Sequence, residues 1–169
     1  MLVGSLSKSY CMAGWRAGFL AAPAAFVKAV GNLQSHTASN ACNIVQQAAL
    51  EALHPSGDGF VADVRAELES QRALAMRLLS EIPELPFVRP EGAFYLFPDA
   101  SALLGRSFQG TAIGAVDALA EMLLEHAHIA VVPGSAFGSE RHVRISYAIP
   151  PAEISAGMES LNRFVSSLD

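Results

Sequence analysis

Charge is scarce in this chain. Only 16% of its 169 residues are Asp, Glu, Lys or Arg, where soluble domains average roughly a quarter. Lys8 and Lys28 are the only lysines. The net charge is −5 and no basic run occurs, so there is no nucleic-acid footprint. Cys11 and Cys42 are the only cysteines. They form no CxxC pair and no disulfide framework, and a cytoplasmic location is expected. The window Ala29–Leu50 has no Asp, Glu, Lys or Arg, but Asn, Gln, Ser and Thr fill it. It is no membrane span, which needs about 20 mainly apolar residues. Met1–Lys8 lacks a basic start followed by an apolar stretch, so it does not read as a signal peptide. Internal repeats and low-complexity tracts are also missing. What remains is apolar: 51% hydrophobic residues and a mean hydropathy of +0.32. Such a balance fits a chain that buries surface against further chain or a second subunit. An alanine-rich coding bias would raise the count in the same way.

The pattern along the chain predicts alternating strands and helices. Residues 1–7 read as the end of a strand, and Trp15–Ala22 as another, stopped by Pro23. A helix is expected over Pro23–Leu33, with proline in its first turn. Ser39 or Asn40 can cap the next helix, to about Leu53. His54–Gly59 is a break rich in turn residues. A long helix follows from Phe60 to about Glu81, on the spacing of Phe60, Val64, Leu68, Ala75, Leu78 and Ile82. Beyond Phe87 the chain reads as a small α+β unit. Its strands are expected near Phe87–Val88, Ala93–Phe97, Ala130–Val132 and His142–Ala148. One helix carries Val116, Leu119, Ala120, Leu123, Leu124 and Ala127 on a stripe. A last helix, opened by Pro150–Pro151, carries Ile154, Met158, Leu161, Val165 and Leu168.

The chemistry concentrates near the start. Lys8 and Arg16 stand eight residues apart in Ser5-Leu-Ser-Lys-Ser-Tyr-Cys-Met-Ala-Gly-Trp-Arg16. A neutral lysine amine can condense with an aldehyde, and an arginine fork suits a phosphate. Small and hydroxyl residues between them permit a tight turn and add phosphate donors. An aldehyde and a phosphate on one ligand describe pyridoxal 5'-phosphate (PLP). Taken alone, such a pair is more often two solvated surface charges. Other candidates are weaker. His126-x-His128 has no third ligand, so no metal site is expected. Gly134–Gly138 lacks the GxSxG spacing of a nucleophile elbow. Gly110–Gly114 lacks the Gly-Lys-Ser/Thr of a phosphate loop. Cys11 reads as a small packing residue rather than a reactive thiol. His36 falls in a polar stretch expected to be a loop, with no direct catalytic role. On strand alternation Arg144 leaves the apolar face shared by Val143, Ile145 and Tyr147. By itself that pattern describes a surface arginine on an edge strand.

The string Ser-x-Ser-Lys-x-Tyr-x-Met-x-Gly-Trp-Arg-x-Gly resembles the lysine segment of the class I and II aminotransferases, the aspartate aminotransferase superfamily. One departure is Gly4-Ser5-Leu6, where the family often has Asn-Gly before the serine-lysine pair. Further segments are similar in the same order. They are Leu33–Asn40 with Ile44–Leu53, Pro90–Pro98, Val132–Gly138 and Arg144–Ala148. The resemblance runs from about residue 3 to the end.

The resemblance implies an α/β fold: the C-terminal part of a PLP-dependent transferase large domain plus an α+β small domain. Residues 1–54 would be the large-domain remnant, 55–82 a linking helix and 83–169 the small domain. It implies that Lys8 forms the Schiff base with PLP and acts as general base. Ser5 and Arg16 would bind the phosphate, and Arg144 the substrate α-carboxylate. The expected function is amino-group transfer between an amino acid and a 2-oxo acid, of aspartate or aromatic type, in a homodimer. The carboxylate that the family sets on the ring nitrogen lies upstream of its lysine, and Asp58, Asp63 and Asp99 match no such motif. An inactive fragment or pseudoenzyme with a dimerising role therefore stays open, as does a PLP β-lyase or synthase of the same fold.

Overall fold

The structure, a computed structural model, describes residues 1–54 and 58–169, the side chain of Asp58 excepted. Residues 55–57 of the expected break at His54–Gly59 lie outside the described residues. The chain divides into two compact units, Met1–Arg65 and Ala66–Asp169.

The first unit opens with a hairpin. β1 (Leu2–Ser5) pairs antiparallel with β2 (Gly18–Ala21), Ser5 opposite Gly18. β2 starts later than expected. Trp15 closes a 3-10 turn over Ala13–Trp15, and Arg16 follows in the left-handed region at φ 55°, which no strand tolerates. Pro23, with φ already near the helical value, precedes α1 (Ala24–Thr37). α1 runs four residues beyond the expected Leu33, so His36 lies in its last turn and not in a loop. Its polar end suits a solvent-facing helix. Thr37 Oγ1 donates back to the Leu33 carbonyl, and Ser35 Oγ to that of Asn32. α2 (Asn43–Ala52) begins at Cys42, without the expected cap from Ser39 or Asn40.

No residue of α1 or α2 is buried. Leu6 and Met12 are the only buried hydrophobics described in this unit. Phe19, Phe26, Leu33, Ile44, Leu50 and Leu53 stand exposed. Exposed apolar surface on this scale is a common feature of interaction faces.

α3 (Asp58–Leu79) crosses the division between the units. Its second half enters the core, with Ala75 and Leu79 fully buried. No strand forms at Phe87–Val88. Pro86 and Pro90 flank the pair and cannot donate to a ladder, and Val88 is exposed. The sheet of the second unit is three-stranded: β3 (Tyr95–Leu96), β7 (Val143–Ser146) and β6 (Val132–Pro133), with β7 central and both pairings antiparallel. A further hairpin, β4 (Ser107–Phe108) and β5 (Thr111–Ala112), turns on Gln109 and Gly110, both at positive φ. α4 (Val116–Ala127) buries Val116, Leu119, Leu123 and Ala127. Leu124, expected on that stripe, faces outward. α5 (Pro151–Ser166) buries Ile154, Met158, Leu161 and Val165 as expected, and Phe164 besides. These faces meet in one hydrophobic cluster that spans Ala75 to Leu168.

Two polar details tie this core together. Tyr147 is buried, and its hydroxyl donates to the Ala93 carbonyl at 3.0 Å. Burial pushes its phenol pKa up, against the opposing charge of Arg72. Asp99 accepts the hydroxyl of Ser101 and its N–H at 2.9 Å, and pairs with Arg141 at 3.3 Å. Those two Ser101 donors hold the Asp99 pKa below its usual range, with Arg141 and His142 adding and burial opposing. A depressed carboxylate contributes stability above the unfolded pKa, near 4, and loses it as pH falls further. Asp99→Asn should therefore cost about 1 kcal/mol at pH 7, and the gap from wild type should be narrower at pH 3. Melting curves at both pH values check this; an undiminished gap at pH 3 would contradict it.

Candidate functional site

The loop from Leu6 to Ala17 joins the two strands of the hairpin. Its ends are clamped by the strand ladder and by the Leu6 N–H, which donates to the Ala17 carbonyl at 3.2 Å. Gly18 makes the clamp possible, since a Cβ there would lie 2.6 Å from the Gly4 carbonyl oxygen. Leu6 and Met12 turn inward and anchor the loop. Most of the polar side chains are left at the surface. Lys8, Ser5 and Arg16 are exposed and Ser7 is half-buried.

Within the loop, Ser5 Oγ donates to Ser7 Oγ at 2.8 Å, and the Ser7 N–H donates to Ser5 Oγ at 3.1 Å. The Cys11 N–H donates to the Lys8 carbonyl at 3.2 Å, closing a turn around the lysine. Arg16 Nη1 donates to the Ala13 carbonyl at 3.0 Å. Cys11 and Arg16 both hold left-handed backbones, at φ 54° and 55°. Each costs on the order of 1 kcal/mol or more for a residue with a side chain. Strained backbone of this kind clusters at functional sites. Sequence pattern does not reveal this strain, because neither position is glycine.

The structure thus brings Ser5, Lys8 and Arg16 onto one loop of the first unit. An amine, a guanidinium with unused N–H groups and two hydroxyls form a donor set that suits a phosphorylated aldehyde. The residues present fit PLP on that ground.

Arg144 lies in the second unit, on β7. Val143 and Ile145 turn into the core on either side of it, and Arg144 is half-buried on the opposite face. β7 is the central strand, so Arg144 is not on an edge. Its guanidinium carbon lies over the ring of Tyr95 at 4.5 Å and over that of Phe137 at 4.7 Å. These two aromatics went unread in the sequence, since a strand register and a turn bring them to Arg144. Among the described residues no group of three His, Cys, Asp or Glu side chains is placed to hold a metal. His126 instead packs against Phe108, and His128 ends α4 in the left-handed region. Among the described residues no helix is long and apolar enough to cross a membrane.

The family model for aminotransferases of class I and II matches residues 1–161. The chain belongs to that family. It is 41% identical over 162 residues to a probable aspartate/prephenate aminotransferase of Aquifex aeolicus, covering 95% of this chain and 40% of that protein. It is 40% identical over 167 residues to an aspartate aminotransferase of Streptomyces avermitilis, covering 98% of this chain and 40% of that one. Among solved structures, the aspartate aminotransferase of Rhizobium meliloti superposes with a TM-score of 0.93 at 36% identity, over 99% of this chain and 42% of that one. The α/β architecture expected from the sequence is that of these enzymes. Aminotransferases of this type use PLP. The chain spans about 40% of the length of the relatives it matches.

Proposed function

We propose that these residues carry the lysine loop and the substrate-carboxylate arginine of a PLP-dependent aminotransferase that moves an amino group between an amino acid and a 2-oxo acid. The reading concerns a chain of the relatives' full length. The observation that carries it is the strained, clamped loop that presents Lys8, Arg16 and the two serine hydroxyls together. The names of the relatives support aspartate as donor. We assign residues 1–54 to the cofactor-binding domain, 55–82 to a linking segment and 83–169 to the small domain, in a dimeric enzyme.

When bound, PLP supplies an aldehyde carbon and an electron-withdrawing ring. Lys8 holds that carbon through its amine nitrogen. Once free, the same nitrogen would serve as the base that takes the proton from the substrate Cα. Arg16 and Ser5 would hold the phosphate. Arg144 would bind the substrate α-carboxylate through a bidentate pair.

Arg16→Lys keeps the charge and loses the fork. The cofactor Kd of the holoenzyme should rise at least tenfold, about 1.4 kcal/mol; an unchanged Kd by titration would make Arg16 a surface charge.

A second reading has its own support. The first unit has almost no buried core, so the 169 residues produced alone are expected to give no turnover with PLP, glutamate and oxaloacetate. A misplacement of 1 Å at such a site costs about a hundredfold. Turnover above that of free PLP would show that these residues suffice.

A further inference from the structure

Arg144 has an unusual set of neighbours. Among the described residues no carboxylate pairs with it and no carbonyl takes a hydrogen bond from it. Its guanidinium lies instead over the ring faces of Tyr95 and Phe137. A half-buried arginine more often leans on an acid or on backbone oxygens, because its donors lose water on burial.

The rings come from the two flanks of β7. Tyr95 sits on β3, in register with Ser146 and so on the same face as Arg144. Phe137 sits on the 3-10 turn Gly134–Phe137 that follows β6, on the other side. That turn is held firmly. The Gly134 N–H donates to the His142 carbonyl at 2.7 Å. A Cβ at Gly134 would lie 2.5 Å from two backbone oxygens, so only glycine fits. Ser135 Oγ donates to Asp117 on α4 at 2.9 Å. Phe97 meets the Phe137 ring edge-on at 6.2 Å and stacks flat on His142 at 4.7 Å. The Ser139 hydroxyl in turn meets His142 Nδ1 at 2.6 Å. Phe137 itself is 52% exposed, so it adds little to the core it borders.

We propose that Tyr95 and Phe137 are positioning residues that orient Arg144 for the substrate carboxylate while leaving its charge and its N–H edge unspent. This rests on the carboxylate role given to Arg144 above. An acid partner would aim the guanidinium equally well, but it would compete with the incoming carboxylate for the same donors. A ring face attracts the cation through its quadrupole and takes no N–H group. The rings also displace water from beside the guanidinium, which strengthens a bidentate pair with a carboxylate.

The test is steady-state kinetics and melting temperature on the holoenzyme. Phe137→Leu keeps apolar bulk and removes the quadrupole. It should raise KM for the amino acid and the 2-oxo acid alike, on the order of fivefold, with kcat and melting temperature near wild type. Phe137→Tyr should restore the KM. Tyr95→Leu should behave as Phe137→Leu does. If Phe137→Leu leaves KM unchanged while Arg144→Ala raises it, the cradle is wrong and the role of Arg144 stands. If Phe137→Tyr fails to restore KM, or the loss tracks melting temperature, the rings only pack, and the proposal falls. If Arg144→Ala itself leaves KM unchanged, the carboxylate role fails, and the cradle with it.

Discussion

Replacing Lys8 with alanine in the holoenzyme should lower kcat at least a thousandfold. Two losses combine. The amine proposed to hold the aldehyde carbon disappears, and so does the proposed base for the Cα proton, a role worth roughly 10²–10⁴ on its own. The phosphate contacts proposed for Arg16 and Ser5 remain, so the cofactor should still bind, without a covalent link. Lys28 cannot substitute, since it sits on α1, outside the loop. Single-turnover transfer from glutamate checks this. A variant that keeps a tenth of the wild-type rate would remove Lys8 from the chemistry.

The next largest effect is expected at Arg144. Arg144→Ala should raise KM for amino and 2-oxo acids by roughly thirtyfold, about 2 kcal/mol, the scale of a charged hydrogen-bonded pair. Lysine at this position should recover little, because a point charge lacks the fork. The loss should not depend on the substrate side chain, since every substrate carries an α-carboxylate. KM measured with aspartate, glutamate and an aromatic amino acid decides the point. A loss confined to dicarboxylic substrates would mean that Arg144 reads the side chain instead.

Periodicity made the helices legible. α4 and α5 lie where their apolar stripes put them, because a stripe over three turns has one way to be buried. The alternation at Val143, Ile145 and Tyr147 likewise gave the inner face of β7. Short elements were harder. The Gln109-Gly110 turn has no standard hairpin signature such as Asn-Gly, and β4 and β5 have only two residues each. The prolines around Phe87–Val88 removed a strand that side-chain preference favoured. At the lysine loop, residue types and spacing announced the donors, but not the left-handed backbones of Cys11 and Arg16. Around Arg144 the limit was register. Tyr95 and Phe137 lie 49 and 7 residues away in sequence, and only the pairing of β3, β6 and β7 reveals them as its neighbours.

The central claim is that Lys8 holds the cofactor. Borohydride reduction of the holoenzyme, followed by peptide mapping, tests it directly. The account predicts one pyridoxyl group per chain, on the peptide that contains Lys8. A group fixed on Lys28, or an active enzyme in which no lysine is labelled, would contradict it.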